Sequence, residues 1–210
     1  MHYFKSQIFD QEYHNNYSLK NNLIAIKAEF ENEGTSIYEL AILSEFCKKN
    51  KLPLTLKIGG PLAKNDIYDA FHIGAQNIIA PMIESKISLK KFFDLYSKVL
   101  DVFESNYIKP SIMINIESYL AFKKLDEILE FINQSNSKLA RIIIGRKDLS
   151  KSINENNVNS QRIYKITLEI LKKATKQNIH VTVGGNISHK SYKFISSLSQ
   201  NGLTSFETRK

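Results

Sequence analysis

The sequence is poor in cysteine, proline and glycine, and it has no long apolar run. It contains 1 Cys, 4 Pro and 8 Gly among 210 residues, and 42% of the residues are hydrophobic, which together exclude wholesale disorder. Because a lone cysteine, Cys47, cannot form an internal disulfide, we expect a reducing, cytoplasmic setting. No segment approaches the roughly 20 apolar residues of a membrane span. The first residues also lack the apolar core of a secretion signal, so we expect no membrane partner.

Arginine is scarce although the chain is basic. The formal net charge is +8, but only 4 of the 29 basic residues are Arg, and the lysines never run longer than a pair. Nucleic-acid sites usually cluster their charge and favour Arg, whose planar fork makes paired contacts. We therefore expect the lysines to lie on solvated helix faces, and we expect no nucleic-acid partner.

Short β-branched runs alternate with amphipathic stretches from Leu23 onward. Seven strands are predicted, and most are apolar throughout, as in strands covered on both faces: Leu23–Phe30, Pro53–Ile58, Asn77–Met82, Ser111–Ile116, Ala140–Ile144, His180–Val183 and Leu203–Phe206. Between them, apolar residues recur at the spacing of a helix face, which predicts six helices. This alternation predicts parallel βα units and an α/β fold.

The predicted architecture is a (βα)8 TIM barrel that is incomplete, with seven evident strands. An open doubly wound sheet is the structural alternative, but the segment after the first strand is Glu-Phe-Glu-Asn-Glu-Gly (29–34) rather than a glycine-rich phosphate loop. We expect residues 1–22 to form a polar N-terminal extension and residues 23–210 to form a single barrel domain.

Carboxylates follow two strands that a parallel barrel would make neighbours. Glu117 comes directly after Ser111–Ile116, and Asp148 follows Ala140–Ile144. Chemistry in such barrels gathers at the carboxyl ends of strands, and two converging carboxylates suit a hard divalent cation such as Mg²⁺. The structural alternative is that Asp148 caps a turn and Glu117 caps the next helix.

Two further strand ends carry candidate binding residues. Lys57 lies late in an apolar strand, where it could meet a substrate carboxylate, form a Schiff base, or simply pair with Glu29 or Glu31. Gly184 and Gly185 follow the sixth strand, where backbone N–H groups could bind phosphate or merely form a tight turn.

Seven segments carry a family resemblance in their order along the chain: IKAEFENEGT (26–35), LKIGG (56–60), IIAPMIES (78–85), INIES (114–118), IGRKDLS (144–150), VGGNIS (183–188) and FETRK (206–210). Together they resemble the HpcH/HpaI aldolase and citrate lyase β-subunit family of the phosphoenolpyruvate/pyruvate barrel superfamily. The resemblance covers about residues 23–210.

The resemblance implies a (βα)8 barrel that binds Mg²⁺ or Mn²⁺ and makes or breaks carbon–carbon bonds through an enolate. It implies a small-molecule partner, a 2-oxo acid or an acyl thioester, and it matches the family's metal-binding Glu and Asp to Glu117 and Asp148. Lys57 stands where the family usually has a substrate-binding Arg. The acidic segment also lacks the aldolases' His, which leaves Glu29 or Glu31 to move the proton.

The function that follows is a metal-dependent carbon–carbon lyase or aldolase. Lys57 would stabilise the oxyanion, and Gly184 and Gly185 would contact substrate. The alternatives are a phosphate-binding barrel isomerase or epimerase, and a non-catalytic barrel homologue. Because the barrel is short, we expect a homo-oligomer in which a partner covers exposed edges.

Overall fold

The computed structural model of the chain describes residues 22–31, 33–103, 107–135 and 138–208. The predicted N-terminal extension therefore lies almost wholly outside the described residues. All seven predicted strands are present, in the sheet order β1 to β7: β1 (Ile26–Glu29), β2 (Leu54–Lys57), β3 (Asn77–Ala80), β4 (Ser111–Ile116), β5 (Leu139–Gly145), β6 (His180–Gly184) and β7 (Ser205–Phe206). The strands are parallel and alternate with helices, which is the arrangement of an incomplete TIM barrel.

Helices fill each of the six connections between strands: α1 (Ile37–Lys49), α2 (Lys64–Ile73), α3 (Lys86–Leu100), α4 (Tyr119–Lys123), α5 (Leu125–Gln134), α6 (Arg146–Lys151), α7 (Gln161–Thr175) and α8 (Tyr192–Ser199). Two connections that were each expected to hold one helix hold two. Between α6 and α7 the cause is a mostly polar segment, 152–160, which contains four Asn and ends at Ser160. The Ser160 hydroxyl caps α7 by accepting a hydrogen bond from the Ile163 N–H at 3.3 Å.

The chain divides into two compact units. The first comprises the described residues up to Gly59 together with 63–79 and 95–111, and it contains β1, β2 and most of β3. All four residues of β2 are buried, as predicted for a strand covered on both faces. Phe71 stacks on Phe103 with ring centroids 4.5 Å apart, and the Tyr96 hydroxyl donates to the Pro110 carbonyl at 2.5 Å.

Cys47 lies on the buried face of α1 in this first unit, where it is 1% exposed and forms part of the core. Burial raises the pKa of the Cys47 thiol to about 12, so the side chain is a neutral apolar group at physiological pH.

The second unit comprises residues 60–62, 80–94 and 112 onward, and it contains most of β4 and all of β5 to β7. The apolar residues at helix-face spacing are buried on α5, namely Leu125, Ile128, Leu129 and Ile132. A similar apolar face is buried on α7. In β5, Ile142, Ile143 and Ile144 are all buried. None of the helices in the described part of the chain is long and apolar enough to cross a membrane.

Candidate active site

Glu117 follows β4 directly, and its carboxylate is buried and hydrogen-bonded within the second unit. It is 5% exposed. Its Oε1 accepts a hydrogen bond from the Met82 N–H at 3.0 Å, and its Oε2 accepts one from the Asn115 side-chain amide at 2.9 Å. Hydrogen bonds to a charged acceptor are the stronger kind, and two of them fix the direction of the carboxylate. Ser118, not Glu117, is the N-cap of α4.

Met82 reaches Glu117 through an unusual backbone conformation. Its φ is +53°, in the left-handed region that side chains other than glycine rarely adopt. This conformation explains why β3 ends at Ala80 rather than at Met82, as the apolar run predicted. The turn aims the Met82 N–H at Glu117. A main-chain donor of this kind leaves no mark in the sequence.

Gly145, at the end of β5, leaves the space that Glu117 occupies. A Cβ atom added at Gly145 would lie 2.8 Å from both the Cβ and the Oε2 of Glu117. Real Cβ atoms do not make such contacts, so any larger residue at position 145 would displace the carboxylate. Nothing in the sequence marks Gly145 for this role.

Asp148 lies in the first turn of α6 in a different environment from that of Glu117. Its side chain is 52% exposed, and it pairs with Lys151 at 3.4 Å across one helical turn. Within the described ranges, no three His, Cys, Asp or Glu side chains lie close enough together to hold a metal ion. The structure therefore contains both predicted carboxylates but does not assemble them into a three-ligand centre.

The donor atoms of the second unit nevertheless suit a hard cation. Besides Glu117 and Asp148, Glu84 supplies a carboxylate, which accepts a hydrogen bond from the Ser118 hydroxyl at 2.5 Å. Asn115 supplies an amide oxygen that is buried and has no hydrogen-bond partner among the described residues. Mg²⁺ and Mn²⁺ prefer carboxylate and carbonyl oxygens, so the chemistry of this donor set fits either ion.

Arg146 anchors the segment after β6, and no role was predicted for it from the sequence. It is fully buried. Its guanidinium donates to the carbonyl oxygens of Gly184 at 3.1 Å and Gly185 at 2.9 Å, and to the Asn159 side chain at 2.7 Å. It also lies 4.6 Å from the ring centre of Phe194. Burial lowers the pKa of Arg146 to about 10. The sequence gives no sign that this arginine is buried.

Gly184 and Gly185 are both closely covered by neighbouring groups. The carboxylate of Glu207 lies against Gly184, with its Cγ 2.7 Å from where a Cβ would stand. Gly185 has a φ of +79° and backs onto the first turn of α6, where a Cβ would meet the Lys147 nitrogen at 2.5 Å. A carboxylate against Gly184 repels an anion, so this loop gives no support to a phosphate site.

Lys57 and Glu29 form an ion pair in the first unit. Lys57 is 8% exposed and Glu29 is 4% exposed, and the Lys57 Nζ lies 3.4 Å from the Glu29 Oε2. Lys27 lies 3.4 Å from the other carboxylate oxygen. Glu31 is exposed and lies outside β1. The structure thus shows the predicted ion pair of Lys57, with Glu29 as its partner, and the two ligand-binding alternatives stay predictions.

A family model for the HpcH/HpaI aldolase/citrate lyase family matches residues 57–193, more than half of the chain. The chain belongs to this family. The match confirms the resemblance predicted from the seven ordered segments. The family consists generally of lyases and aldolases, and its members act on small molecules. No curated protein sequence is significantly similar to the chain.

Solved structures of the family share the fold. An HpcH/HpaI aldolase from Desulfitobacterium hafniense DCB-2 aligns with a TM-score of 0.71 and 16% identity, over 90% of this chain and 78% of that one. A family protein from Burkholderia cenocepacia J2315 aligns with a TM-score of 0.72 and 11% identity, over 90% and 80%. The citrate synthase SbnG aligns with a TM-score of 0.71 and 15% identity, over 90% and 77%. At these identities the likeness establishes the TIM-barrel fold of the chain.

Proposed function

We propose that this family member is a cation-dependent carbon–carbon lyase or aldolase that acts on a small 2-oxo acid or acyl thioester through an enolate. The observation that carries the proposal is the buried carboxylate of Glu117, held at the end of β4 by the Met82 N–H and the Asn115 amide. A carboxylate that is buried, directed and bordered by a glycine is typical of a binding site rather than of a helix cap.

The cation would be Mg²⁺ or Mn²⁺, held by Glu117 and Asp148. A bound cation supplies Lewis acidity, which stabilises the negative charge of an enolate oxygen. Glu117 contributes a fixed carboxylate. Asp148 contributes an exposed one, whose pairing with Lys151 is worth little and costs little to break.

For Lys57 and Glu29 of the first unit, the roles that the family resemblance implies, at the substrate's oxyanion and in proton transfer, stay predictions. Both side chains are buried, and each is oriented by the other at 3.4 Å. The Lys57 ammonium is a point charge, whereas an arginine guanidinium can donate two parallel hydrogen bonds. The ammonium therefore suits a single oxygen atom better than it suits a carboxylate. Glu31 is the weaker candidate for proton transfer because it is exposed.

The remaining parts of the proposal concern binding and assembly. Substrate contact by Gly184 and Gly185 stays a prediction, as do a cytoplasmic location and a homo-oligomeric state. In the described residues, β1 and β7 are the two ends of the strand order, and unprotected end strands invite pairing with another chain.

Proton exchange at the methyl group of pyruvate, followed by NMR in D₂O with and without Mg²⁺, tests the proposal. Forming the enolate releases a methyl proton, so we expect exchange that depends on the cation. A parallel sample with an acetyl thioester covers the second substrate class. Exchange in neither sample would overturn the lyase proposal and leave the two alternatives, the non-catalytic homologue and the phosphate-binding isomerase or epimerase.

Substitution of Asp148 by Ala supplies the matching test of the residue. We expect exchange to fall more than about 100-fold, because even groups that only orient a metal ligand cost 10–100-fold when replaced. Asp126→Ala is the matched control, since Asp126 is also exposed and paired with a lysine, Lys173 at 2.9 Å. Undiminished exchange in Asp148→Ala would remove Asp148 from the site.

A further inference from the structure

Glu207 occupies a place in the second unit that repeats the placement of Glu117. It follows β7 directly, and its N–H donates to the Val183 carbonyl at 3.0 Å, which continues the pairing of β7 with β6. Its carboxylate lies in the space that a side chain at Gly184 would fill. Glu207 thus covers the end of β6 as Glu117 covers the end of β5.

The two covered glycines are direct neighbours in the sheet. Gly145 and Gly184 are register partners of the parallel β5–β6 pair, so their missing Cβ atoms would point to the same face. Neighbouring strands are about 5 Å apart, which places the carboxylates of Glu117 and Glu207 within about 10 Å of each other. Two negative groups therefore flank one pair of glycines.

A second observation points to a ligand at this place. Asn115 is 3% exposed, and its Oδ1 has no hydrogen-bond partner among the described residues, although its amide nitrogen holds the Glu117 Oε2. Asn115 lies two residues before Glu117, so both side chains emerge on one face of the chain. A buried carbonyl oxygen without a donor is costly, and a bound cation or its water would satisfy it.

We propose that Glu207 and the Asn115 Oδ1 are further binding groups of the cation site formed around Glu117. This inference rests on the proposed function, which places a divalent cation at Glu117. Glu207 acts through water rather than as a direct ligand, because the described residues contain no close group of three ligand side chains. Mg²⁺ keeps several of its waters in proteins, and an additional carboxylate can hold those waters.

Calorimetric titration of the full chain with Mn²⁺ tests this assignment independently of any activity. We expect Glu207→Gln, which keeps the size of the side chain and removes its charge, to weaken Mn²⁺ binding about tenfold. Glu130→Gln is the matched control. It removes one negative charge from an exposed position on α5 in the same unit, and we expect binding to be unchanged.

Gly184→Ala provides a second route to the same perturbation. The backbone of Gly184 is outside the left-handed region, so alanine suits the conformation, but its Cβ would displace Glu207. We expect the same loss as in Glu207→Gln, and no further loss when both changes are combined. Gly60→Ala is the control, because nothing lies within 4 Å of a Cβ there.

The outcomes separate the two proposals. If the unchanged chain binds Mn²⁺ and Glu207→Gln binds it equally well, the role of Glu207 is refuted while the cation site at Glu117 stands. If the unchanged chain does not bind Mn²⁺, both proposals fail.

The role of Asn115 has its own test. Asn115→Leu should weaken Mn²⁺ binding, whereas Thr167→Val, at another buried oxygen without a partner in the described residues, should not. Equal binding by both variants would remove Asn115.

Discussion

At the scale of single residues, the candidate site depends on the absence of a side chain at Gly145 as much as on the carboxylate of Glu117. The backbone of Gly145 has a φ of −83°, which any residue can adopt, so glycine is not required there by conformation. It is required because Glu117 fills the position of its side chain. The identity of residue 145 is therefore set by the site rather than by the strand.

Gly145→Ala should abolish the function proposed for Glu117 while leaving the chain folded. The added methyl group forces Glu117 away from the Met82 N–H and the Asn115 amide, and crowding of this kind costs typically 1–3 kcal/mol. We expect a loss of Mn²⁺ binding in calorimetry and a lower Tm. Gly60→Ala should change neither the binding nor the Tm. A Gly145→Ala chain that binds Mn²⁺ normally would contradict the inference that the position of Glu117 depends on glycine at 145.

The site could be predicted from the sequence only where residue types carry the signal. Glu117 and Asp148 could be named as candidates because carboxylates after neighbouring parallel strands are informative, and their role stays a prediction. The donation from Met82 was not found because main-chain groups are the same in every residue. The burial of Arg146 was missed because a lysine and an aspartate follow it, which is a surface pattern.

At the scale of elements, helix α1 shows how a local signal fixes where an element begins. Ser36 and Glu39 form a reciprocal cap: the Ser36 hydroxyl accepts from the Glu39 N–H at 3.3 Å, and the Glu39 carboxylate accepts from the Ser36 N–H at 2.8 Å. Two N–H groups that the helix cannot satisfy itself are thereby paired.

Ser36→Ala should lower the free energy of unfolding by about 1 kcal/mol, the usual cost of losing an N-cap hydroxyl. Chemical denaturation with CD detection measures the change. Ser97→Ala, at an exposed position inside α3, is the matched control and should be nearly neutral, because alanine is the better helix former. Equal effects of the two substitutions would show that the cap at Ser36 contributes nothing.

Strands were predicted better in number than in length. The apolar runs marked all seven, but β1 is four residues long where eight were expected, and β7 is two residues long where four were expected. Apolar residues beyond a strand end continue the core without pairing, as Ile83 does after the turn at Met82. The hydrophobicity of a segment indicates which residues are buried. The length of a strand depends instead on how many of its residues pair with the backbone of the neighbouring strand.

At the scale of the whole molecule, the sequence predicted one barrel domain, and the residues cluster into two compact units. Cys47 in the first unit offers a direct probe of cooperativity between them. Burial holds the pKa of its thiol at about 12, against 9.0 when unburied. Between these values the unfolded chain loses a proton that the folded chain keeps, so stability falls as pH rises above about 9. Measurements at pH 8 avoid this effect.

If the chain unfolds as one cooperative domain, a destabilising core substitution in the second unit must also lower the temperature at which Cys47 in the first unit becomes exposed to solvent. Ile144→Val should cost about 1 kcal/mol, which corresponds to roughly 2–4 °C in Tm for a chain of this length. We expect the midpoint of Cys47 labelling by a thiol reagent, measured against temperature, to fall by the same amount as the midpoint of the CD transition. Ile144 is fully buried in β5, so the substitution acts on the core of the second unit. A labelling midpoint that stays fixed while the CD curve splits in two would mean that the units unfold separately, and the single-domain prediction would be wrong.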